Sequence, residues 1–235
     1  MKKKVCFSIV SHDQSILVDR LLKDIDKNIS INNYNLKVVI TDNVNDFRWT
    51  PTLNNHELKK INNLRQKGFG ANHNAVFENF EADFFFVINP DVRIEKSILF
   101  DRVINQMSDL IIYSPKVINE NGILEDYKRR ELTIMNLILR RLGLSEAGKS
   151  FWFAGIFHGY TYETFRRLDG FDTKYFMYVE DADICYRVYQ LGGKIEEFKN
   201  FTVVHNAQRQ SLKKIKNLRW HLKSLLRFYL KKMEF

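Results

Sequence analysis

The stretch DFFFVINPD, residues 83–91, sets five apolar residues in a row and then stops on Asn89, Pro90 and Asp91. A run of that kind, with no polar interruption, suits a strand buried on both faces, as in a parallel sheet covered by helices. Asn-Pro and Asp also open turns readily, so the stop has a plain reading as a turn. An acid in that position has a second reading, as a ligand for a hard cation such as Mg2+ or Mn2+ whose shell substrate phosphates would complete.

Similar runs precede it. KVCFSIV (4–10) and LKVVITDN (36–43) read as buried strands, and SILVDRLLKDI (15–25) between them has helical spacing at Ile16, Leu17, Leu21, Leu22 and Ile25. ELKKINNL (57–64) fits either a strand or a helix, and GFGANHNAVFENF (68–80) reads as a glycine loop running into a helix. This order predicts an α/β fold with a Rossmann-like, mostly parallel sheet flanked by helices. Ligands in such sheets sit beyond the carboxyl ends of the strands, which here carry Ser11-His12-Asp13, Asp42-Asn43 and Asn89-Pro90-Asp91.

The second half is less regular. DLIIYSPKVI (109–118) gives one or two strands, ENG (120–122) a turn, and ELTIMNLILRRLGL (131–144) a helix. FWFAGIFHGYTYETFRRLDGFD (151–172) reads as strand, helix and glycine turn, and KIEEFKNFTVVHN (194–206) as a strand ending at His205. Between them, FMYVEDADICYR (176–187) places Glu180, Asp181 and Asp183 at the start of a helix expected to stop at Gly192-Gly193. Acids there complement the helix dipole. The spacing of Asp181 to Ile184, Val188 and Leu191 aims it along the buried stripe, where a carboxylate beside a pocket suits a general base. Asp183 has Arg187 at i+4 as a structural partner, and Glu180 suits either a helix cap or a substrate contact. Gly68 and Gly70 leave room for close backbone approach by a ligand, although the pattern matches neither a P-loop nor a dinucleotide fingerprint. His205 gains weight as a ligand if it converges on Asp91, because Mn2+ accepts imidazole and carboxylate together.

With 235 residues, 45% of them apolar, the chain has material for one main domain, expected over 1–206. Its net charge is +9, yet residues 206–235 hold nine Lys or Arg against Glu234, so +8 of the +9 belongs to this tail. Residues 207–235 are therefore expected to form a basic amphipathic helical tail. Its apolar face carries Leu212, Ile215, Leu218, Leu222, Leu225, Leu226, Tyr229 and Met233, with Lys213, Lys216, Lys223, Arg227 and Lys231 largely opposite. Such a face either packs on the body or lies on an anionic membrane surface. Nucleic-acid binding would need aromatics interleaved with the cations on an exposed sheet or groove, a pattern missing here. No run is long enough to cross a membrane or to serve as a signal peptide, so the protein is expected in the cytoplasm or peripherally on the cytoplasmic face of the inner membrane. Cys6 and Cys185 lack disulfide or metal spacing and are expected as reduced core residues.

Six motifs in order carry a resemblance over essentially the whole chain: FSIVSHDQ, VVITDN, KGFGANHNAVFE, FFFVINPDV, the segment from Phe151 to Gly193, and VVHNAQRQS. Together they resemble the family 2 glycosyltransferases of GT-A fold, most of all the bacterial rhamnosyltransferases of O-antigen and related cell-surface polysaccharides. The resemblance implies an inverting transfer of L-rhamnose from dTDP-L-rhamnose to a hydroxyl of a polyprenyl-diphosphate-linked acceptor. Asp42 would contact the nucleoside, with Ser11 and the loop around Gly68, Gly70 and Asn72 nearby. Asp91 stands at the end of the metal-binding Asp-x-Asp motif for Mg2+ or Mn2+, and His205 matches the late metal- or diphosphate-contacting His. Asp181 matches the catalytic base, Trp152, Ala154 and Gly155 lie in the acceptor wall, and Arg209 would touch the diphosphate. Asn89 stands where the motif has its first acid. The alternatives are another donor, a UDP-hexose or galactofuranose, or a non-catalytic protein binding a membrane surface or nucleic acid.

Overall fold

The structure is a computed structural model that describes residues 2–46, 48–142, 150–205 and 215–233. The first half supplies β1 (Lys3–Ser11), α1 (Ser15–Asn28), β2 (Ile29–Ser30), β3 (Tyr34–Asp42), β4 (Glu57–Asn62), α2 (Phe69–Asn79) and β5 (Phe84–Ile88). After β6 (Val92–Arg93), β7 (Ile98–Leu99) and α3 (Asp101–Ile104) come β8 (Ile111–Ile118), β9 (Lys128–Arg129) and α4 (Ile134–Arg141). The chain then forms β10 (Trp152–Phe153), β11 (Phe157–Thr161), α5 (Tyr162–Arg167), α6 (Glu180–Gln190), β12 (Lys194–His205) and α7 (Ile215–Met233).

Eight strands form the main sheet in the order β4-β3-β1-β5-β11-β8-β12-β6. The pairs β3–β4, β1–β3, β1–β5 and β8–β12 are parallel, whereas β11 runs against both neighbours and β6 runs against β12. The expected mostly parallel sheet is therefore present. Its continuous apolar strands have the expected cause, since each sends alternate side chains into two separate cores. Phe86 and Ile88 join Phe7, Ile9 and the α1 residues Val18, Leu21, Leu22 and Ile25 on one face. Phe85 and Val87 join Cys6, Val39, Val76 of α2 and Ile184 and Val188 of α6 on the other. Both cysteines are free and buried, and burial pushes each thiol up to about 12.

Three segments resolve readings that the sequence left open or placed differently. ELKKIN becomes the edge strand β4, paired with β3, and DLIIYSPKVI supplies a single strand, β8. The helix of the KGFGANHN stretch begins at Phe69, so Gly70 lies in its first turn rather than in a loop. At the carboxyl end of the chain, α7 packs on the body through Phe228, which is 3% exposed and shares a core with Cys185 and Trp152.

Candidate active site

The carboxyl ends of β1, β3, β5 and β12 meet at one edge of the sheet. Ser11 and Asp42 are in register, and Asn43 N–H donates to Ser11 O at 2.8 Å. Asp42 is nearly fully buried. Its carboxylate accepts backbone N–H groups of Val44, Asn45 and Asp46 at 2.9–3.1 Å and lies 3.3 Å from Lys60 Nζ. It therefore shapes the loop that follows it, an Asx-type arrangement. Asn43 and Asn63 continue this edge. Asn63 Nδ2 donates to Asn43 Oδ1 and to Asn72 Oδ1, and Asn72 Nδ2 donates to Gly68 O at 3.0 Å. The polar network ties Asn72 and the Gly68 turn to the ends of β3 and β4.

The two glycines sit where the chain itself leaves no room for a side chain. A Cβ on Gly68 would stand 2.7 Å from Phe176 O, and one on Gly70 would stand 2.4 Å from Phe171 Cβ. The space is filled by the 171–176 segment of the chain itself, so both are packing positions. Phe69 N–H donates to Phe176 O at 3.0 Å, which fixes α2 against the acidic segment.

The short β6 pairs with the end of β12, placing Val92 opposite His205. His205 Nε2 is consequently 3.4 Å from Asp91 Oδ2, and the expected convergence occurs. The other ring nitrogen, Nδ1, lies 2.9 Å from Glu125 Oε2, a partner that sequence reasoning missed because nothing near Glu125 signals it. Burial lowers the His205 pKa, but hydrogen bonds and charge from Asp91 and Glu125 outweigh it and raise the value overall. Asp91 Oδ1 is buried and has no hydrogen-bond partner among the described residues. An orphaned carboxylate oxygen beside an imidazole suits Mn2+, which accepts both donors, better than Mg2+, which prefers oxygen alone. Glu125 lies on the far side of the ring, and among the described residues no group of three or more His, Cys, Asp or Glu is arranged to hold a metal ion by itself. Such an ion would draw its remaining ligands from substrate and water.

Asn89 N–H donates to Ile156 O at 2.9 Å, so the end of β5 lies beside the segment that holds Gly155. Asp181, in the first turn of α6, accepts Gly155 N–H on Oδ2 and Ala182 N–H on Oδ1, both at 2.9 Å. It is half-buried, and the nearest atom to a Cβ on Gly155 would be Asp181 Cβ at 3.4 Å. Glu180 is buried, with Oε2 unpaired among the described residues; burial first, and then the neighbouring Asp181 charge, push its pKa well above the ordinary value. Asp183 is fully buried and takes the structural role expected of it, bound by Arg187 Nε at 2.8 Å and by Lys231 Nζ of α7 at 2.6 Å. No side chain caps α6; Tyr178 and Val179 precede it at φ 71° and 73°. Left-handed backbone at a β-branched residue costs about 1–3 kcal/mol and persists only where surroundings hold it. Here Ser224 of α7 donates to Met177 O at 3.0 Å, and Trp220 packs on Phe176.

Of the expected acceptor wall, Gly155 faces Asp181, whereas Trp152 turns toward α4. Its indole N–H donates to Arg130 O at 2.7 Å, its ring lies under Arg129, and it lines a cavity with Leu132, Asn136 and Leu137. Ala154 O receives a contact from buried His158 at 3.1 Å. Arg209 lies outside the described residues, as do Leu212 and Lys213.

No family profile matches the sequence. The chain is 25% identical over 246 residues to the rhamnosyltransferase WbbL of Escherichia coli K12, covering 95% of this chain and 92% of that protein. Among solved structures it resembles GalNAc-T7 with UDP, GalNAc and Mn2+, at TM-score 0.64 and 15% identity over 87% of this chain and 44% of that one. It also resembles the mannosyltransferase PcManGT of Pyrobaculum calidifontis with GDP-Man and Mn2+, at TM-score 0.63 and 14% identity over 97% of this chain and 65% of that one. The third, S. aureus TarS 1-349, gives TM-score 0.59 and 17% identity over 96% and 72%. The chain thus spans less than half of the first solved structure and about two-thirds of the second. Strand order, sheet-edge site and near full-length similarity agree with the resemblance carried by the motifs: the chain has the GT-A glycosyltransferase fold and is similar in sequence to a rhamnosyltransferase.

Proposed function

We propose that the protein is an inverting glycosyltransferase that moves a sugar from a nucleotide donor to an acceptor hydroxyl, with Asp181 as general base. The observation that carries this reading is the half-buried Asp181 carboxylate, held by Gly155 N–H beside the carboxyl end of β5. One Asp181 oxygen lone pair accepts the proton of the acceptor hydroxyl as the hydroxyl oxygen attacks the anomeric carbon from the face opposite the nucleoside diphosphate, which leaves with the bonding electrons. A single displacement inverts the configuration. Positive charge grows on the sugar ring, as in glycoside hydrolysis, and negative charge on the leaving diphosphate. Asp91 and His205 are the residues that would hold Mg2+ or Mn2+, which supplies charge stabilisation to that diphosphate when bound. Asp42, Ser11 and the Asn43–Asn63–Asn72 network line the nucleoside side of the same edge.

Similarity to WbbL over nearly both whole chains favours L-rhamnose from dTDP-L-rhamnose as the donor group, and a lipid-linked saccharide of cell-surface polysaccharide synthesis as acceptor. The C-terminal helix would then meet the membrane that carries this acceptor. The test is calorimetric titration with dTDP and UDP, each with Mn2+ or EDTA, followed by turnover of dTDP-rhamnose. Tighter binding of dTDP supports the donor; preference for UDP moves the donor to a UDP-sugar, and no nucleotide binding under any condition overturns the transferase reading.

A further inference from the structure

Helix α7 is built inside out for a surface helix. Three of its charged side chains turn inward: Arg227 binds Asp172 at 2.6 Å, Lys231 binds Asp183 at 2.6 Å, and Lys232 binds Glu131 just before α4. Leu225 packs against the core, but the other described leucines of α7 turn outward. Leu218, Leu222, Leu226, Leu230 and Met233 are each more than half exposed, while Ser224 and Phe228 face the body. This corrects the expected division of the tail, in which Arg227 and Lys231 formed part of a solvated basic back. At about 100° per residue, Arg219 lies about 20° and Lys223 about 60° from Leu226 on the helical wheel. Both cations are exposed. The outward face therefore joins apolar residues with two cations, and the described part of α7 contains no acid. The neighbouring α4, tied to α7 through Lys232 and Glu131, exposes Ile134, Met135 and Ile138 as well.

We infer that the outward face of α7, the ladder Leu218-Leu222-Leu226-Leu230-Met233 with Arg219 and Lys223, docks onto an anionic lipid surface. The inference deepens the membrane reading above and rests on it. Charge decides the occupant. Two copies of this face brought together would oppose like charges, whereas an anionic bilayer accepts the leucines in its headgroup boundary and neutralises the cations. No helix among the described residues is long and apolar enough to cross a membrane, so α7 lies along the surface. Its inner face meanwhile holds Met177 and Phe176, in the segment that leads into the proposed base.

The test is flotation of the full chain with phosphatidylcholine vesicles and with mixed phosphatidylcholine–phosphatidylglycerol vesicles. Wild-type protein binds the mixed vesicles. Leu222→Ser with Leu226→Ser lowers that binding about tenfold or more, while Arg219→Gln with Lys223→Gln removes the preference for phosphatidylglycerol. Circular dichroism and dTDP calorimetry confirm that each variant is folded. If the leucine pair binds mixed vesicles like wild type, this face is not the contact and only the broader membrane reading survives. Failure of wild type to bind either vesicle overturns both. A wild-type dimer in analytical ultracentrifugation that the leucine variant dissociates assigns the face to a second copy and overturns the inference.

Discussion

Asp181 and Gly155, separated by 26 residues in sequence, are joined by a 2.9 Å hydrogen bond from the glycine N–H to the aspartate Oδ2. The bond orients the carboxylate, while the remaining oxygen accepts Ala182 N–H. Asp181→Asn keeps the shape and removes the basicity. Turnover should fall about 10²- to 10⁴-fold, the usual contribution of a positioned base, with dTDP affinity within about twofold of wild type by calorimetry. Undiminished turnover would assign the base elsewhere.

The ring of His205 is held from both sides, by Asp91 and by Glu125. Glu125 acts as a positioning residue: its bond to Nδ1 keeps Nε2 turned toward Asp91. Carboxylate partners of this kind typically set metal affinity by about 10- to 100-fold. Titrating Mn2+ against the dTDP-loaded protein by electron paramagnetic resonance should show loss of the site in Asp91→Ala. Weakening within that range is expected in Glu125→Ala and much less in Glu125→Gln, which keeps an acceptor oxygen. Equal affinity in wild type and Glu125→Ala would show that His205 needs no orienting partner.

Gly70 is a packing residue, and its substitution separates packing from ligand approach. A Cβ only 2.4 Å from Phe171 Cβ forces apart α2 and the segment leading to α6. Gly70→Ala is expected to lose about 1–3 kcal/mol of stability, the ordinary penalty of overpacking, read as a shift of the urea midpoint. A stability equal to wild type would mean that the two segments are not in contact in solution.

These cases show what could be read from the chain beforehand. Alternating burial made β1, β3 and β5 legible as continuous apolar runs, and with them the edge where Asp42 and Asp91 stand. The pairing of Asp183 with Arg187 followed from spacing alone. Glu125 did not, because it reaches His205 across 80 residues and only the short β6–β12 pairing brings Asp91 and that ring together. The packing at the two glycines was hidden for a related reason: local sequence marks where a side chain is excluded, but the atoms that exclude it, Phe171 and Phe176, arrive from a distant segment. In α7 the helical period found two kinds of side chain, yet which kind faced inward depended on Asp172 and Asp183, whose positions no helical wheel contains.

Glu180 ties stability to pH. Burial, and secondarily the charge of Asp181, raise its pKa well above the ordinary 4.5. The folded protein thus retains a proton that the unfolded chain releases near pH 4.5. Its contribution to stability is fully present below that pH and is lost as pH rises toward the folded value. Glu180→Gln fixes the neutral form in both states and removes the loss. Urea unfolding of wild type and variant from pH 5 to pH 8 should show the variant gaining stability relative to wild type as pH rises, by about 1.4 kcal/mol for each unit between the two pKa values that the pH has crossed. A pH-independent difference would place Glu180 in contact with water and with an ordinary pKa.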